Sequence, residues 1–311
     1  MDFCTKFKKD LKSDTAKFGA KYDEKRMDAV FALFKDTYMQ KTPSTFFQIR
    51  YNTKPGKDPV INFRAEVSAD KDKLKSSFNP LDIIKASSLK QDAYGPSKAY
   101  AKELGYLISS ALDSFPSFAL ALDFDTSEGL VKLWHFGAYS LEELASLPES
   151  PKALKAFVKP LEELDMTDCY CTGVDYTKGS MNVYFINNCI TSKAVLKALS
   201  IFGFEAPPQH VVKESSQASA LAVTFTWDKE TPSRCCFYVP TMFIDEPEHQ
   251  KFVMDHVLAT TVVEDEPGAF MGFSFGPKMS DHYKKLEQDY CNTYYEFLTD
   301  LILKRESLKK K

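Results

Sequence analysis

Residues 168–185, DCYCTGVDYTKGSMNVYF, constrain the fold of this chain more than any other stretch. Two strand-like segments flank a turn at residues 177–180, where Gly179 supplies the positive φ that a tight hairpin turn needs. The second segment alternates between an apolar set and a polar, uncharged set: Met181, Val183 and Phe185 against Asn182 and Tyr184. This period of two predicts a β-hairpin with one apolar and one polar face.

The same alternation recurs in VINFRAEV, LVKLWHF and RCCFYV, now with charges on the polar side. The polar sides of these segments carry Asn62, Arg64, Glu66, Lys132, Trp134, Arg234, Cys236 and Tyr238. The polar side of any single segment is equally consistent with the solvent side of an ordinary antiparallel sheet. The repetition favours a closed barrel, in which helices cover the apolar sides and the polar sides share a lumen that can bind a ligand.

Hairpins and helices follow one another along the whole chain. Strands are predicted at 45–52 and 59–67, 117–125 and 130–136, within 168–185, at 220–228 and 234–242, and at 268–276 and 282–291. Helices are predicted at 26–39, 99–112, 150–164, 191–202, 245–258 and 293–308. The unit repeats roughly every 50 to 70 residues without a dividing linker, which favours a single domain over residues 1–311.

Composition excludes several classes of protein. The net charge of -3 gives no general attraction to nucleic acid or to an anionic membrane. The N-terminal residues lack the apolar core of a signal peptide, and no apolar run approaches the roughly 18 residues of a membrane span, so we expect a cytoplasmic protein. The seven cysteines are scattered and form no CxxC pair, and no HExxH occurs, so neither a disulfide framework nor a zinc site is indicated.

Five stretches together resemble the soluble aromatic prenyltransferases of the ABBA-barrel type, the group of bacterial naphthalene, aminocoumarin and phenazine prenyltransferases and their fungal relatives. They are INFRAEV, ALDFDTSEGLVKLW, CTGVDYTKGSMNVYF, TWDKETPSRCCF and GFSFGPK with HYKKL, in that order. The resemblance covers most of the chain. It implies an α+β fold, a ten-stranded antiparallel β-barrel ringed by α-helices in repeated ααββ units, and a prenyltransferase that binds its substrates in the lumen.

The resemblance also implies roles for individual residues. The diphosphate-binding set is Arg50, Arg64, Lys132, Asn182, Tyr184, Arg234 and Lys284. The prenyl and aromatic pocket comprises Trp134, Tyr170, Thr172, Ala220 and Phe225, and Glu66 and Glu287 are candidate bases for removing the proton from the attacked ring. Near HYKKL the register is open by one residue, and only one of Lys284 and Lys285 can face the lumen, because neighbours on a strand point oppositely.

One departure from the family pattern concerns magnesium. Members that need the metal carry an acidic residue where this chain has Asn62, and Mg²⁺ is normally held by carboxylates and phosphate oxygens. An amide beside Arg64 is a poor substitute. We therefore expect Arg50 and Arg64 to replace the metal, Mg²⁺ not to be required, and Asp123 to pair with one of these cations. No other cofactor is implied.

These expectations combine into a functional hypothesis. The chain would transfer a dimethylallyl group from dimethylallyl diphosphate to a phenolic aromatic such as a dihydroxynaphthalene, and the bulk of Trp134 favours a C5 over a C10 donor. Two alternatives remain open: a non-catalytic lumenal binding protein for an anionic aromatic or prenyl ligand, and a scaffold whose polar lumen is only hydrated. We expect small-molecule partners, no nucleic acid, no membrane, and a monomer, because a closed barrel leaves no sheet edge to pair.

Overall fold

The structure is a computed structural model of the 311-residue chain. It describes residues 8–9, 11–13, 15–16, 19–34, 47–53, 60–68, 119–147, 150–175, 178–186, 190–240 and 268–289. The helices predicted at 99–112, 245–258 and 293–308 lie outside these residues.

Antiparallel strands make up most of the described chain. They are β1 (Phe47–Thr53), β2 (Val60–Ser68), β3 (Ala119–Asp125), β4 (Gly129–Ser140), β5 (Asp168–Asp175), β6 (Ser180–Ile186), β7 (Ala220–Thr226), β8 (Arg234–Pro240), β9 (Gly268–Phe275) and β10 (Tyr283–Asp289). Each strand pairs with the next one along the chain, and β1 also pairs with β10, so the strands form a closed ring. All five predicted hairpins are present among the described residues.

Helices connect the hairpins. Within the described residues they are α1 (Glu24–Phe34), α2 (Leu141–Ser146), α3 (Lys152–Glu162), α4 (Ser192–Phe202) and α5 (Gln209–Ser215). Three of them match predicted helices, and α4 begins at the predicted cap, since the Thr191 hydroxyl accepts a hydrogen bond from the Ala194 amide. Sequence periodicity missed α2 and α5 because six and seven residues are too few to show a helical repeat.

The main hydrophobic core lies between the helices and one face of the strands. Its strand members include Val174, Val183, Leu221, Val223 and Phe225, and its helix members include Leu154, Leu161, Val195, Leu199 and Phe202. The apolar set predicted for the strand at 180–186 is therefore the set that meets the helices, as the alternation indicated. This arrangement leaves the polar set on the opposite face.

The turn between β5 and β6 has the geometry that the sequence predicted. Gly179 has a φ of +56°, in the left-handed region that favours glycine.

Among the helices that the structure describes, none combines the length and apolar character needed to cross a bilayer.

Phe63 offers a test of the outer core. It is fully buried, and its ring stacks on Phe31 of α1 at 5.2 Å and on Phe124 of β3 at 4.9 Å. We expect Phe63→Ala to lower the free energy of unfolding by about 3–5 kcal/mol, because it removes both ring contacts and leaves a cavity. Urea denaturation followed by circular dichroism measures this. Leu196→Ala in α4, at a site that is 42% exposed, is the control and should change stability by less than about 0.5 kcal/mol.

Candidate functional site

The strand face opposite the main core, called the lumen face here, collects the candidate site residues. Strand register places two rows of cross-strand partners on it. The first row is Arg64, Asp123, Lys132 and Asp175. The second row is Trp134, Gly173, Asn182, Thr224 and Arg234. Cross-strand partners have Cβ atoms about 4.5–5.5 Å apart, so the register alone brings distant parts of the sequence together.

A second, separate cluster of buried side chains belongs to this face. Its members are Trp134, Tyr170, Cys171, Tyr184, Ala222, Cys236 and Tyr238, with Ala220 and Ile186 packed against them. The Trp134 and Tyr184 rings lie 5.0 Å apart, and the Tyr184 and Tyr238 rings 6.0 Å apart. The three rings therefore form an aromatic row along the lumen face.

Arg64, Asp123 and Trp134 form one buried unit. The Arg64 Nε and Nη2 atoms donate to the two carboxylate oxygens of Asp123 at 2.6 and 3.0 Å. The Trp134 indole Nε1 donates to Asp123 Oδ2 at 2.6 Å, and the Arg64 guanidinium carbon lies 4.6 Å from the centre of the indole. The expected pairing of Asp123 with a cation of the site is thus present, and it also includes the predicted pocket tryptophan.

Lys132 lies on the same indole. Its Nζ is 4.7 Å from the ring centre. Burial lowers the pKa of the Lys132 ammonium to about 7, although the carboxylates of Asp175 and Asp123 oppose the shift. Near neutral pH this lysine is therefore divided between its charged and neutral forms, and a bound anion would favour the charged one.

Arg234 is held by uncharged side chains. Its Nε donates to Thr224 Oγ1 at 3.2 Å and its Nη1 to Ser274 Oγ at 3.4 Å, while the Thr224 hydroxyl donates to Asn182 Oδ1 at 2.7 Å. Burial lowers the pKa of the Arg234 guanidinium, but Cys236 and the nearby tyrosines together raise it by more. The net shift of the pKa is upward, and the group stays charged. Asn182 thus supports the arginine through Thr224.

The lysine that faces the lumen is Lys285. Its Nζ donates to the Tyr238 hydroxyl at 3.0 Å, and Lys285 is buried. Lys284 points to the outer side, where its Nζ pairs with Glu214 of α5 at 2.7 Å and lies 5.3 Å from the Phe273 ring centre. Lys284 therefore does not have the inward orientation expected of a diphosphate-binding lysine and Lys285 does, because the strand register places Lys285 opposite Gly272 and Lys284 opposite the core residue Phe273.

Two residues expected in the aromatic pocket lie on the wrong face for it. Phe225 is part of the main core, and Thr172 pairs across the strands with the core residue Val183. Their side chains point away from the lumen face because each is offset by one residue from a lumen residue. Tyr170 and Ala220 do lie with the lumen cluster. Tyr238, which the alternation from Arg234 placed on the polar side but which was given no role in the site, also belongs to this cluster.

Four other candidates are placed only in part. Arg50, Glu66 and Glu287 lie in β1, β2 and β10, and their side chains are outside the described part of the structure. Arg50 is the cross-strand partner of Asn62. The Asn62 Oδ1 atom is buried and has no hydrogen-bond partner among the described residues.

The arrangement can bind a polyanion beside an aromatic wall. Arg64, Lys132, Arg234 and Lys285 present cationic groups to one shared face, and the aromatic row runs past them. In a surrounding of low polarity such fixed cations stabilise negative charge far better than they would in water. The ring faces can stabilise a positive carbon next to that anion.

Comparisons with known proteins find similar sequences. A family model described as aromatic prenyltransferase Orf2 matches residues 3–301. The chain is 27% identical over 146 residues to 5,10-dihydrophenazine-1-carboxylate 9-dimethylallyltransferase of Streptomyces anulatus, a match that covers 44% of this chain and 49% of that protein. It is 23% identical over 309 residues to 4-hydroxyphenylpyruvate 3-dimethylallyltransferase of Streptomyces niveus, covering 94% of this chain and 87% of that protein.

The fold also has solved counterparts. The structure of 5-dimethylallyl tryptophan synthase from Streptomyces coelicolor aligns with a TM-score of 0.51 at 10% identity, covering 91% of this chain and 92% of that one. At this identity the likeness concerns the fold alone.

The lowered pKa of Lys132 predicts that the protein takes up a proton when it binds an anion. With a pKa of about 7 in the free protein, Lys132 is mostly neutral at pH 8, and binding of inorganic pyrophosphate should return it to the ammonium form. Raising the pH from 6 to 8 should therefore weaken pyrophosphate binding by wild type about tenfold more than binding by Lys132→Arg, whose side chain stays charged. Titration calorimetry in buffers of different ionisation enthalpy measures this. Equal pH dependence of the two proteins would contradict the shift.

Proposed function

The chain belongs to the aromatic prenyltransferase Orf2 family, and from this premise we propose that it transfers a dimethylallyl group from dimethylallyl diphosphate to a phenolic aromatic acceptor such as a dihydroxynaphthalene. The reaction is a metal-independent Friedel-Crafts alkylation through an allylic carbocation. The observation that carries the proposal is the set of four cations, Arg64, Lys132, Arg234 and Lys285, beside the aromatic row on the lumen face. The proposal takes the ring of strands to be the ABBA barrel of this family.

The cations act on the leaving group. Breaking the bond between the allylic carbon and oxygen places negative charge on the diphosphate, and fixed positive charges lower the barrier because they are already oriented. Arg234 stays charged at any working pH, Lys132 becomes charged as the anion binds, and Arg50 is a further proposed contact. Asn182 and Tyr184 remain in the proposed diphosphate set as neutral hydrogen-bonding groups.

The aromatic row acts on the carbocation. Trp134 lies within 5 Å of two cationic groups that would hold the diphosphate, so the departing allylic carbon ionises beside the indole. Its π face stabilises the cation, and the surrounding buried rings exclude water that would otherwise capture it. Tyr170 and Ala220 are the proposed contacts of the acceptor ring, and Glu66 and Glu287 remain candidate bases for the last proton transfer.

The relatives support the choice of donor. The two Streptomyces proteins compared above are both named dimethylallyltransferases, and the name of one specifies a hydroxyphenyl acceptor. The bulk of Trp134 in the lumen also favours the C5 donor. The match to the phenazine enzyme spans only about half of that protein's length, and the acceptor is therefore part of the proposal.

Metal independence rests on the donor groups at the former metal position. Asn62 offers one neutral amide oxygen, and both oxygens of Asp123 accept hydrogen bonds from Arg64. Asp125, the cross-strand partner of Asn62, uses its Oδ1 to accept from the amides of Ser127 and Glu128 in the turn. Three of the four carboxylate oxygens of Asp123 and Asp125 thus accept hydrogen bonds, and Arg64 supplies positive charge where a metal ion would. We also expect a cytoplasmic protein. We expect it to be a monomer, since β1 and β10 pair with each other and leave no free sheet edge between them.

An incubation with substrates tests the reaction. Purified protein is mixed with dimethylallyl diphosphate and a panel of hydroxynaphthalenes, flavonoids and indoles, once with excess EDTA and once with Mg²⁺, and products are read by mass spectrometry. We expect a product one C5 unit heavier, equally abundant in both conditions. Product formed only in the presence of Mg²⁺ would refute metal independence and still support prenyl transfer. No product with any acceptor, despite saturable pyrophosphate binding, would instead support a lumenal binding protein.

The adjacent lysines provide a matched pair of variants. Lys285→Met should weaken inorganic pyrophosphate binding by about 10- to 100-fold, because a buried charged donor is lost. Lys284→Met removes the same charge from the outer face and should change the affinity less than about twofold, since it breaks only a partly exposed ion pair with Glu214. Equal effects of the two variants would count against the lumen as the diphosphate site.

The double variant Lys132→Ala, Arg234→Ala extends this test to catalysis. Prenyl transfer should fall by at least about 100-fold, since two oriented cations are removed from the leaving group. Circular dichroism checks that the variant is folded. Full activity in the double variant would refute the proposed mechanism.

A further inference from the structure

The indole of Trp134 is held at two points. On one side its Nε1 donates to Asp123 Oδ2 at 2.6 Å. On the other side the ring lies against Gly173 of β5, where a Cβ atom would sit 3.2 Å from the indole Cε3 atom. Glycine therefore gives the ring space to lie across the neighbouring strand, and the hydrogen bond sets the rotation of the ring within that space.

Asp123 combines this hydrogen bond with its ion pair. The carboxylate is 3% exposed and also binds Arg64, whose guanidinium lies over the same indole. A buried carboxylate beside a diphosphate site repels the substrate, so it weakens donor binding unless its charge is compensated. Arg64 compensates the charge of Asp123, and the carboxylate remains in position to accept the hydrogen bond from the Trp134 indole.

We propose that Asp123 is a positioning residue that fixes the plane of the Trp134 indole against Gly173, so that its π face is held where the allylic carbon ionises. This inference rests on the proposed prenyl transfer. Both cations stacked on the indole belong to the proposed diphosphate set, at 4.6 and 4.7 Å from the ring centre. The donor carbon bonded to the diphosphate must then lie close to the ring, and a rotated indole would lose the cation.

The test uses Asp123→Asn in a Trp227→Phe background. The chain has two tryptophans, so this background makes Trp134 the only indole that reports by fluorescence. The amide keeps the shape of the side chain but replaces one acceptor oxygen with an NH₂ donor, which faces an N–H group of Arg64 or of Trp134. The three hydrogen bonds that the carboxylate accepts therefore cannot all be kept. We expect acrylamide quenching of Trp134 to rise at least about twofold and kcat for prenyl transfer to fall about tenfold or more, because the ring is no longer fixed.

Donor binding should move in the opposite direction. Inorganic pyrophosphate should bind Asp123→Asn as tightly as wild type or several-fold more tightly, because a negative charge is removed and Arg64 is released. The ratio of prenyl alcohol to prenylated product should increase, since a less well-covered cation reacts more often with water. A role limited to structural stability would weaken pyrophosphate binding and kcat together.

Two further variants complete the experiment. Gly173→Ala adds a methyl group 3.2 Å from the indole Cε3 atom and 3.3 Å from Lys132 Cδ without touching the carboxylate. It should reproduce the rise in quenching, which reports on the indole itself, together with a loss of kcat. Asp125→Asn makes the same charge change two residues along β3, and its amide oxygen can still accept from the turn amides. This control should leave quenching and kcat at the level of the background protein.

The outcomes separate the two proposals. Product formation by the background protein together with unchanged quenching and kcat in Asp123→Asn would overturn the positioning role and leave prenyl transfer intact. Increased quenching in Asp123→Asn and Gly173→Ala, in a protein that prenylates no acceptor, would support the positioning of Trp134 and refute the proposed activity.

Discussion

Holding several cations together on one buried face is the constraint on which the rest of this structure depends. Arg64, Lys132, Arg234 and Lys285 come from four strands, and like charges in a medium of low polarity repel strongly. Each cation has a different means of support: a carboxylate for Arg64, hydroxyl groups for Arg234, a phenol for Lys285. Lys132 instead yields part of its charge, as its lowered pKa shows. A bound anion would relieve the repulsion among these cations, so the lumen face favours anion binding.

The outer core provides the rigid frame that such a face requires. Apolar side chains from the strands meet α3 and α4 on the outside, and that contact makes the pleat of each strand point its polar residues inward. The hydrophobic packing and the cation site are thus two consequences of the same alternation. A substitution that slips one strand by a single residue would exchange the two faces, and both would be lost together.

Aromatic rings link the binding of charge to the chemistry. Trp134 contacts both Arg64 and Lys132. Its indole also donates to Asp123, whose negative charge is compensated by Arg64, so the orientation of the ring depends on that ion pair. The rings of Tyr184 and Tyr238 continue from it towards Lys285. The groups that would bind the diphosphate and the groups that would stabilise the allylic cation therefore share contacts, which explains how one compact face can serve both parts of a prenyl transfer.

The sequence by itself determined the five hairpins and the helices α1, α3 and α4, because periods of 2 and 3.6 can be read along one segment without knowing its neighbours. The same period of two placed Arg64, Lys132, Trp134, Asn182 and Arg234 on one polar face. The sequence misplaced Thr172 and Phe225 and left Lys284 and Lys285 unresolved, because a shift of one residue reverses the direction of a side chain. Only the tertiary structure decided that Lys285 reaches Tyr238 and that Asp123 holds both Arg64 and Trp134. These contacts join strands far apart in the chain, and their geometry depends on cross-strand register and on the space beside Gly173, neither of which a local pattern contains.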